Sequence, residues 1–466
     1  MICGACKQEK LDIEFTKLNI SKDGTRGLCK ECKRLRDSNH YSKVQAVNSE
    51  LLYFDLKPDL LIRKKPRIGI LNLIKFTDRK NTKDKASIDM LNMGLRAILK
   101  ELKETYEYCD ARYINDYQFI LISLTSVMDV ENLIYTFEAF APKEIKPQII
   151  VGGFGVINIR LIKPYIDVAC FGRGEGQIND IIAGKRFDNV WRKEDDPNLE
   201  GKYKIRQMQY LVDGECAVGC RNRCRFCQYT FVRKSTNRDE LYHHGKGTAT
   251  IESDWNSLEI NKPGRFTSAW DGWSDDTRRK VSKPVTDKRI MEKLIDIGNR
   301  DIRGGINLKI FQIIGYPWET VDSVLYDMEQ AKEVFRYIDY SIKNDIVLSF
   351  LNTPFAPEPM TPMQYDAANI NVSWQSILRV KQLYNGKYLK AVILPYISGP
   401  FSLLKRVYIH RATEEQLDTF KNIIFNSRLR HMNDEDKVAW LLKYKIIDRD
   451  MFGKINHVPY NYLACE

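Results

Sequence analysis

From residue 67 onward, short apolar runs alternate with stretches whose apolar positions recur at helical spacing. Runs at 68–73, 119–124, 149–151 and 168–171 read as strands, and the stretches at 88–104, 130–140 and 177–183 read as helices. Strands that alternate with helices imply parallel βαβ units. An acidic loop, Glu194-Asp195-Asp196-Pro197, closes this first series, and a second follows with strands predicted at 266–269, 308–314 and 346–350 and helices at 288–299 and 321–335. Beyond about residue 361 the pattern is mainly helical, with amphipathic segments at 373–383, 414–425 and 434–443. Before residue 67 the chain has no such periodicity. Its first 40 residues hold two cysteine pairs, and 41–66 is a polar, then basic connector ending in Arg63-Lys64-Lys65-Pro66. The resulting organisation is 1–40, 41–66, 67–200, 201–362 and 363–466, without internal repeats or low-complexity tracts.

The 466 residues are 43% hydrophobic and 29% charged, which excludes a disordered or fibrous chain and exceeds one small core. Lys plus Arg is 73 against 61 Asp plus Glu, a formal charge of +12 that favours a polyanionic partner such as nucleic acid. No apolar run approaches the roughly 18 residues a spanning helix needs. Nor does Met1-Ile2-Cys3-Gly4 open a signal peptide, so a cytoplasmic protein is expected. In a reducing compartment, clustered thiols read as metal ligands rather than disulfides. Of the 11 cysteines, Cys109, Cys170 and Cys465 stand apart and are expected to be inert.

Cys3-x2-Cys6 and Cys29-x2-Cys32 give two tight knuckles, the spacing with which four thiolates close around one zinc. Such an ion staples a segment too small to fold alone and leaves no open catalytic position. The pairs sit among Lys30, Lys33, Arg34 and Arg36, a plausible phosphate contact. With Phe15 and Asp23-Gly24 between the pairs, the segment resembles the zinc-ribbon heads of bacteriophage-encoded nucleases and DNA-acting proteins. That resemblance implies substrate targeting.

The second cluster is Cys220-x3-Cys224-x2-Cys227, with Cys216 four residues upstream. Three thiolates on one loop can hold three corners of a four-iron four-sulfur cluster and leave the fourth iron open. The alternatives are a second zinc site that uses Cys216 and an electron-transfer cluster, although unequal spacers do not form two knuckles. With Phe226 immediately before the last cysteine, the motif resembles the signature of the radical S-adenosylmethionine (SAM) enzymes. The resemblance implies a partial (β/α)6 barrel whose first strand precedes this loop, SAM chelating the free iron, and an external electron donor. It also implies reductive cleavage to methionine and a 5′-deoxyadenosyl radical that abstracts hydrogen from a substrate.

Downstream segments follow the family's order. Trp270-Asp271-Gly272-Trp273-Ser274, then Arg279-Lys280, Lys283 and Thr286, resembles the stretch that contacts the cofactor, with tryptophan at 273 where the family more often has glycine. Ile313-Ile314-Gly315-Tyr316-Pro317-Trp318-Glu319-Thr320 resembles the segment around the adenine, and Asn352-Thr353-Pro354 with Pro357, Pro359 and Pro362 resembles the final barrel strand and its exit. The resemblance thus implies cofactor contacts at Asp271, Ser274, Gly315 and Pro317. Glu252 or Asp254 is nearest to the family's acidic residue after the second strand.

Before the barrel, Val151-Gly152-Gly153-Phe154-Gly155 and Phe171-Gly172-Arg173-Gly174-Glu175-Gly176 fit strands ending in glycine-rich loops, which in an open parallel sheet gather where a ligand can approach the backbone. Their order resembles the cobalamin-binding domain of cobalamin-type radical enzymes and implies cofactor contacts at Gly152, Gly153, Gly174 and Glu175. The segment Lys75–Asp84 has no histidine to offer cobalt, so cobalamin held without one and an empty scaffold both stay open. His243-His244 reads as a solvated turn, with a substrate contact as the alternative.

The expected fold is α/β: a zinc ribbon, a Rossmann-like cobalamin-binding-type domain, a partial radical SAM barrel and a helical C-terminal region. The expected function is modification of a nucleic-acid base, in phage DNA in preference to tRNA, by an enzyme using a four-iron four-sulfur cluster, SAM and zinc. A radical methyltransferase or isomerase on a small metabolite or tRNA, and a non-catalytic iron–sulfur and zinc protein that binds nucleic acid, are the alternatives. Trp270 and Trp273 are conceivable platforms for a flipped base.

Overall fold

Two parallel sheets and the helices on their faces make up the fold of the described residues. The structure is a computed structural model that describes residues 67–74, 93–207, 220, 222–232, 255–256, 258–383, 392–394 and 399–464, all within the unit Lys65–Glu466.

The first sheet comprises β1 (Ile68–Leu71), β2 (Tyr106–Cys109), β3 (Phe119–Ser123), β4 (Gln148–Gly152), β5 (Val168–Cys170) and β6 (Val190–Arg192). Their order is β2-β1-β3-β4-β5-β6, parallel except for the antiparallel β6. This doubly wound order places the crevice outside the carboxyl ends of β1 and β3, where the chain turns back across its own sheet. Because side chains alternate sides along a strand, Ile68, Ile70, Leu121, Ile150 and Val168 pack with α1 (Met93–Glu101) and α3 (Ile178–Ile182). Leu71, Ile120, Ile122, Ile149, Val151 and Ala169 pack on the other side with α2 (Asp129–Phe140). A sheet covered on both faces reads as continuous apolar runs, which is why four of its strands were legible. β2 and β6 were not anticipated. Tyr106-Glu107-Tyr108-Cys109 is an edge strand with its first two residues exposed, and Val190-Trp191-Arg192 is too short to show a period.

The chain leaves this sheet through β7 (Tyr203–Lys204), passes the cysteine loop and α4 (Gln228–Val232), and enters the second sheet. There β8 (Gly264–Ala269), β9 (Ile306–Ile314), β10 (Ile346–Pro354) and β11 (Val392–Leu394) are all parallel, in the order β11-β10-β9-β8. The connections carry α5 (Asp275–Lys280), α6 (Asp287–Asn299) and α7 (Val321–Ser341). Neighbours in the sheet are thus neighbours in the chain, wound in one direction. The strands expected to flank the cysteine loop lie outside the described residues. The sheet continues past β10, the last strand expected from the sequence: β11 pairs with Ser349, Phe350 and Leu351. Three apolar residues carry too little pattern to be recognised as a strand.

Four further helices follow: α8 (Ile370–Leu383), α9 (Pro400–Arg411), α10 (Leu417–Phe425) and α11 (Asp434–Lys443). They share the core of the first sheet, with Phe401, Leu404, Val407 and Phe420 packed among its residues. The terminal β12 (Leu463–Ala464) pairs with β7, and the Tyr462 hydroxyl donates to Ile157 O (2.7 Å) and accepts from Ile159 N (2.9 Å). Helix α9 escaped the sequence analysis because it is buried nearly all round, so it has no polar face to set a period. Among the described residues no helix is long and apolar enough to cross a membrane.

The buried ammonium of Lys405 on α9 meets both carboxylate oxygens of Glu131 on α2, at 2.7 and 2.6 Å. Lys405→Met strands that carboxylate and is expected to cost about 3–5 kcal/mol, whereas the double variant with Glu131→Leu recovers most of it. Urea unfolding of the three proteins measures the difference.

Candidate functional site

Three thiols arrive on one loop. The Cys227 amide donates to Cys224 O (3.0 Å), which closes the turn before α4. Cys224 is buried, and Cys220 and Cys227 are half-buried. The next residue stitches the loop to the turn between α5 and α6: Arg225 N donates to Val281 O (2.9 Å) and its guanidinium to Lys280 O (3.1 Å). Burial pushes the Cys224 thiol up to about 12; Lys283 pulls it down, while Asp271, Cys227 and Cys220 push it further. The other two cysteines and a buried ion pair therefore act electrostatically on this sulfur.

That pair joins Lys283 Nζ to Asp271 Oδ2 at 2.6 Å. Asp271, two residues past the end of β8, has φ of 59°, a left-handed conformation that aspartate tolerates better than most residues, and Ser282 beside Lys283 has φ of 58°. Neighbouring contacts hold the strained turn. Tyr316 Oη donates to Asp271 O (2.8 Å), Gly272 N donates to Gln312 Oε1 (2.8 Å), and Arg278 Nη1 donates to Gly272 O (2.9 Å). Burial, then Asp271, Glu319 and Cys224, hold the Tyr316 phenol well above its usual range, so it remains a donor. Ser274 is committed locally: its hydroxyl caps α5 by accepting from Thr277 N (3.3 Å) and donates to Asp327 (2.6 Å).

The loop after β9 folds around its own carboxylate. Glu319 Oε2 accepts from Gly315 N (2.7 Å) and Tyr316 N (3.0 Å), and Oε1 accepts from the Thr277 hydroxyl (3.3 Å). Gly315 has φ of 83°, and a Cβ there would lie 1.8 Å from Ser373 Oγ, so only glycine fits. Tyr316 and Trp318 stack at 5.1 Å, with Pro317 half-buried between them in sequence. Phe226 from the cysteine loop and Phe355 after β10 complete an apolar wall with Val281 and Met363.

The glycine-rich loops of the first sheet are filled by the chain itself. A Cβ on Gly153 would meet Leu124 O at 2.4 Å, and one on Gly155 would meet Ser126 O at 2.3 Å. On Gly172 it would meet Arg206 O at 2.4 Å, and on Gly174 the Ile98 side chain at 3.3 Å. Gly152 has room, its nearest contact being Cys170 Cβ at 3.8 Å. Glu175 is buried in a two-pronged pair with Arg173 (3.1 and 2.9 Å), and the Arg206 guanidinium donates to the carbonyls of residues 173 and 175. These loops thus explain most of their glycines without a cobalamin, and that cofactor is assigned no step. They do abut the cysteine segment: Phe154 lies 6.4 Å from Tyr229 on α4, and Gln207 Nε2 donates to Val232 O (2.6 Å).

Trp270 and Trp273, considered as platforms for a base, are buried against Phe350 at 5.6 and 4.8 Å and belong to the core. Cys3, Cys6, Cys29, Cys32, Cys216, His243, His244, Glu252 and Asp254 lie outside the described residues. The sequence analysis placed Lys283 in a cofactor-contacting stretch without its partner and missed the roles of Tyr316, Phe226 and Arg206. No local signal links them, because strand register and loop packing bring them together.

Among the described residues no three His, Cys, Asp or Glu side chains converge on a single metal ion. The donor set is three soft thiols beside an ammonium, which suits an iron–sulfur cluster better than a hard cation. No protein-family model and no curated protein matches the chain. Among solved structures it is similar to the cobalamin-dependent S-adenosylmethionine radical enzyme OxsB with aqua-cobalamin and S-adenosylmethionine bound (13% identity, TM-score 0.25). It is likewise similar to the apo, selenomethionine-labelled form of that enzyme (14%, TM-score 0.24). In both cases 85% of this chain covers 60% of the other, so it spans less than two thirds of that protein's length. This distant likeness assigns no residue of the chain a role.

Burial raises the Glu319 carboxyl from 4.5 to about 7. The folded chain then keeps a proton that the unfolded chain has released, so this group's stabilisation is full below about pH 4.5 and is lost as pH rises through about 7. Glu319→Gln retains an acceptor and should flatten that dependence in thermal melts between pH 5 and 8. Glu319→Ala leaves two buried amides unpaired and should cost about 2–4 kcal/mol at pH 5, and less as pH rises through about 7.

Proposed function

We propose that the chain is a radical SAM enzyme that modifies a nucleic-acid base, DNA before tRNA, after recruitment by an N-terminal zinc ribbon. The observation that carries this reading is the grouping of Cys220, Cys224 and Cys227 on one loop, hydrogen-bonded to the turn that bears Lys283, beside the Asp271–Lys283 pair. A four-iron four-sulfur cluster held by these thiols would supply the electron for reductive cleavage of a bound SAM sulfonium.

The chain's own residues supply the surroundings. Cys220, Cys224 and Cys227 would hold three irons, and the Lys283 ammonium offsets negative charge that gathers on the buried Cys224 sulfur. Asp271 fixes that ammonium, and Tyr316 fixes the Asp271 backbone. Phe226, Tyr316, Trp318 and Phe355 keep water from the same edge, as a reactive carbon radical requires. A base within duplex DNA would have to leave the stack to reach this site, at a cost of a few kcal/mol.

Anaerobic reconstitution, reduction with dithionite and assay for 5′-deoxyadenosine test the reading. Production of that nucleoside is expected from the intact chain, and its absence from cluster-loaded protein would sink the proposal. Cys224→Ala should reduce production to the uncatalysed background while zinc content holds. Cys29→Ala should release zinc and weaken binding of DNA while leaving basal cleavage in place. Stimulation by a small metabolite alone, with neither DNA nor tRNA bound, would transfer the activity to the small-molecule class.

A further inference from the structure

The face of the second sheet turned away from its helices departs from the usual inside of a βα barrel. Bulky apolar side chains normally fill such interiors. The helix-facing side here is of that kind, with Leu308, Ile310, Leu348 and Phe350 in one apolar cluster with α6 and α7. Strand β9 alternates strictly, its even-numbered residues buried and its odd-numbered ones half-buried. On the side of the odd-numbered β9 residues, parallel register lines up half-buried Thr267 and Lys309 with buried Ser349 in one row across three strands. Phe311 follows one layer nearer the carboxyl edge, level with Ala269 and Leu351.

The Lys309 ammonium lies 5.1 Å from the centroid of the Phe311 ring, so the side chain rises from its own layer toward the edge that carries Asp271. Among the described residues no carboxylate pairs with it. Ser349 donates to Asn307 Oδ1 (3.3 Å), which leaves Thr267 and Lys309 as the donors of the row. A half-buried cation with an aromatic ring and a hydroxyl beside it, and no counter-ion among the described residues, suits an anion that arrives attached to a flat group.

We propose that Lys309, with Thr267 beside it, receives a phosphate of the substrate while the attached base lies against Phe311. This assignment rests on the reading of the chain as a base-modifying radical enzyme and adds where its substrate is held. The phosphate belongs either to a free nucleotide or to the backbone of a strand, and the row recognises the same group in both.

The test uses the full chain with its cluster reconstituted under anaerobic conditions. Equilibrium binding is measured for the 2′-deoxynucleoside 5′-monophosphates, the matching nucleosides and a short single-stranded oligodeoxynucleotide. The phosphate-bearing form should bind about 10- to 100-fold more tightly than the nucleoside, the span expected of one charge-assisted hydrogen bond. Lys309→Gln should erase that preference without weakening nucleoside binding, Lys309→Arg should restore part of it, and Phe311→Leu should weaken both forms. Preference for the oligomer alone assigns the phosphate to a strand; preference for the monomer assigns it to a nucleotide. Equal binding of nucleoside and nucleotide, no binding of any probe, or a preference that survives Lys309→Gln overturns the proposal. Should Lys309→Gln fail to retain the cluster, Thr267→Asp, which sets a carboxylate beside the ammonium, is read in the same way. A chain that forms 5′-deoxyadenosine but shows no phosphate preference defeats this inference alone. One that shows the preference but never cleaves SAM defeats the radical reading and leaves the anion site standing.

Discussion

A carboxylate and an ammonium buried together at 2.6 Å, Asp271 with Lys283, constrain everything at the carboxyl edge of the second sheet. Neither charge can be withdrawn from water without the other, so the end of β8 must meet the turn before α6. That turn is also where Arg225 anchors the cysteine loop, and the carbonyl of Asp271 is where Tyr316 arrives from the loop after β9. Four chain segments thereby meet at one edge of the sheet. The left-handed φ angles at 271 and 282 are the local strain that this meeting imposes, tolerated because the surrounding hydrogen bonds over-determine the backbone.

The first sheet contributes by a different route. Its glycine-rich loops hold pieces of the same chain: Leu124 and Ser126 against Gly153 and Gly155, and Arg206 against Gly172 and the carbonyls of residues 173 and 175. Arg206 lies on the connector that runs on to the cysteine loop, and Phe154 touches α4. The glycines bring two backbones into contact, a packing duty that a glycine motif shares with ligand binding. Closure by β12 and the Lys405–Glu131 pair ties the C-terminal helices to this sheet, so the two parallel sheets are joined both through the connector and through the end of the chain.

How much could be read in advance followed from the physical signal each element leaves. Strands buried on both faces, such as 119–123 and 148–152, announce themselves as apolar runs, and α6 announces itself by an apolar stripe over Ile290, Leu294 and Ile297. The edge strand β2, the three-residue β6 and β11, and the all-round buried α9 leave no periodicity. Trp270 and Trp273 illustrate the opposite failure. Their type suggested stacking at a surface, but an aromatic side chain beside a strand end more often fills the core, as these do.

Spacing along the chain was enough to set three thiols on one loop and to make the βα alternation evident, because both are matters of a few consecutive residues. Tertiary structure alone decided that Lys283 answers Asp271, that Arg206 occupies a glycine loop about thirty residues before it, and that Thr267, Lys309 and Ser349 share a row. Strand register and the pairing of buried charges create those neighbours across intervals of many residues, where no local period can encode them.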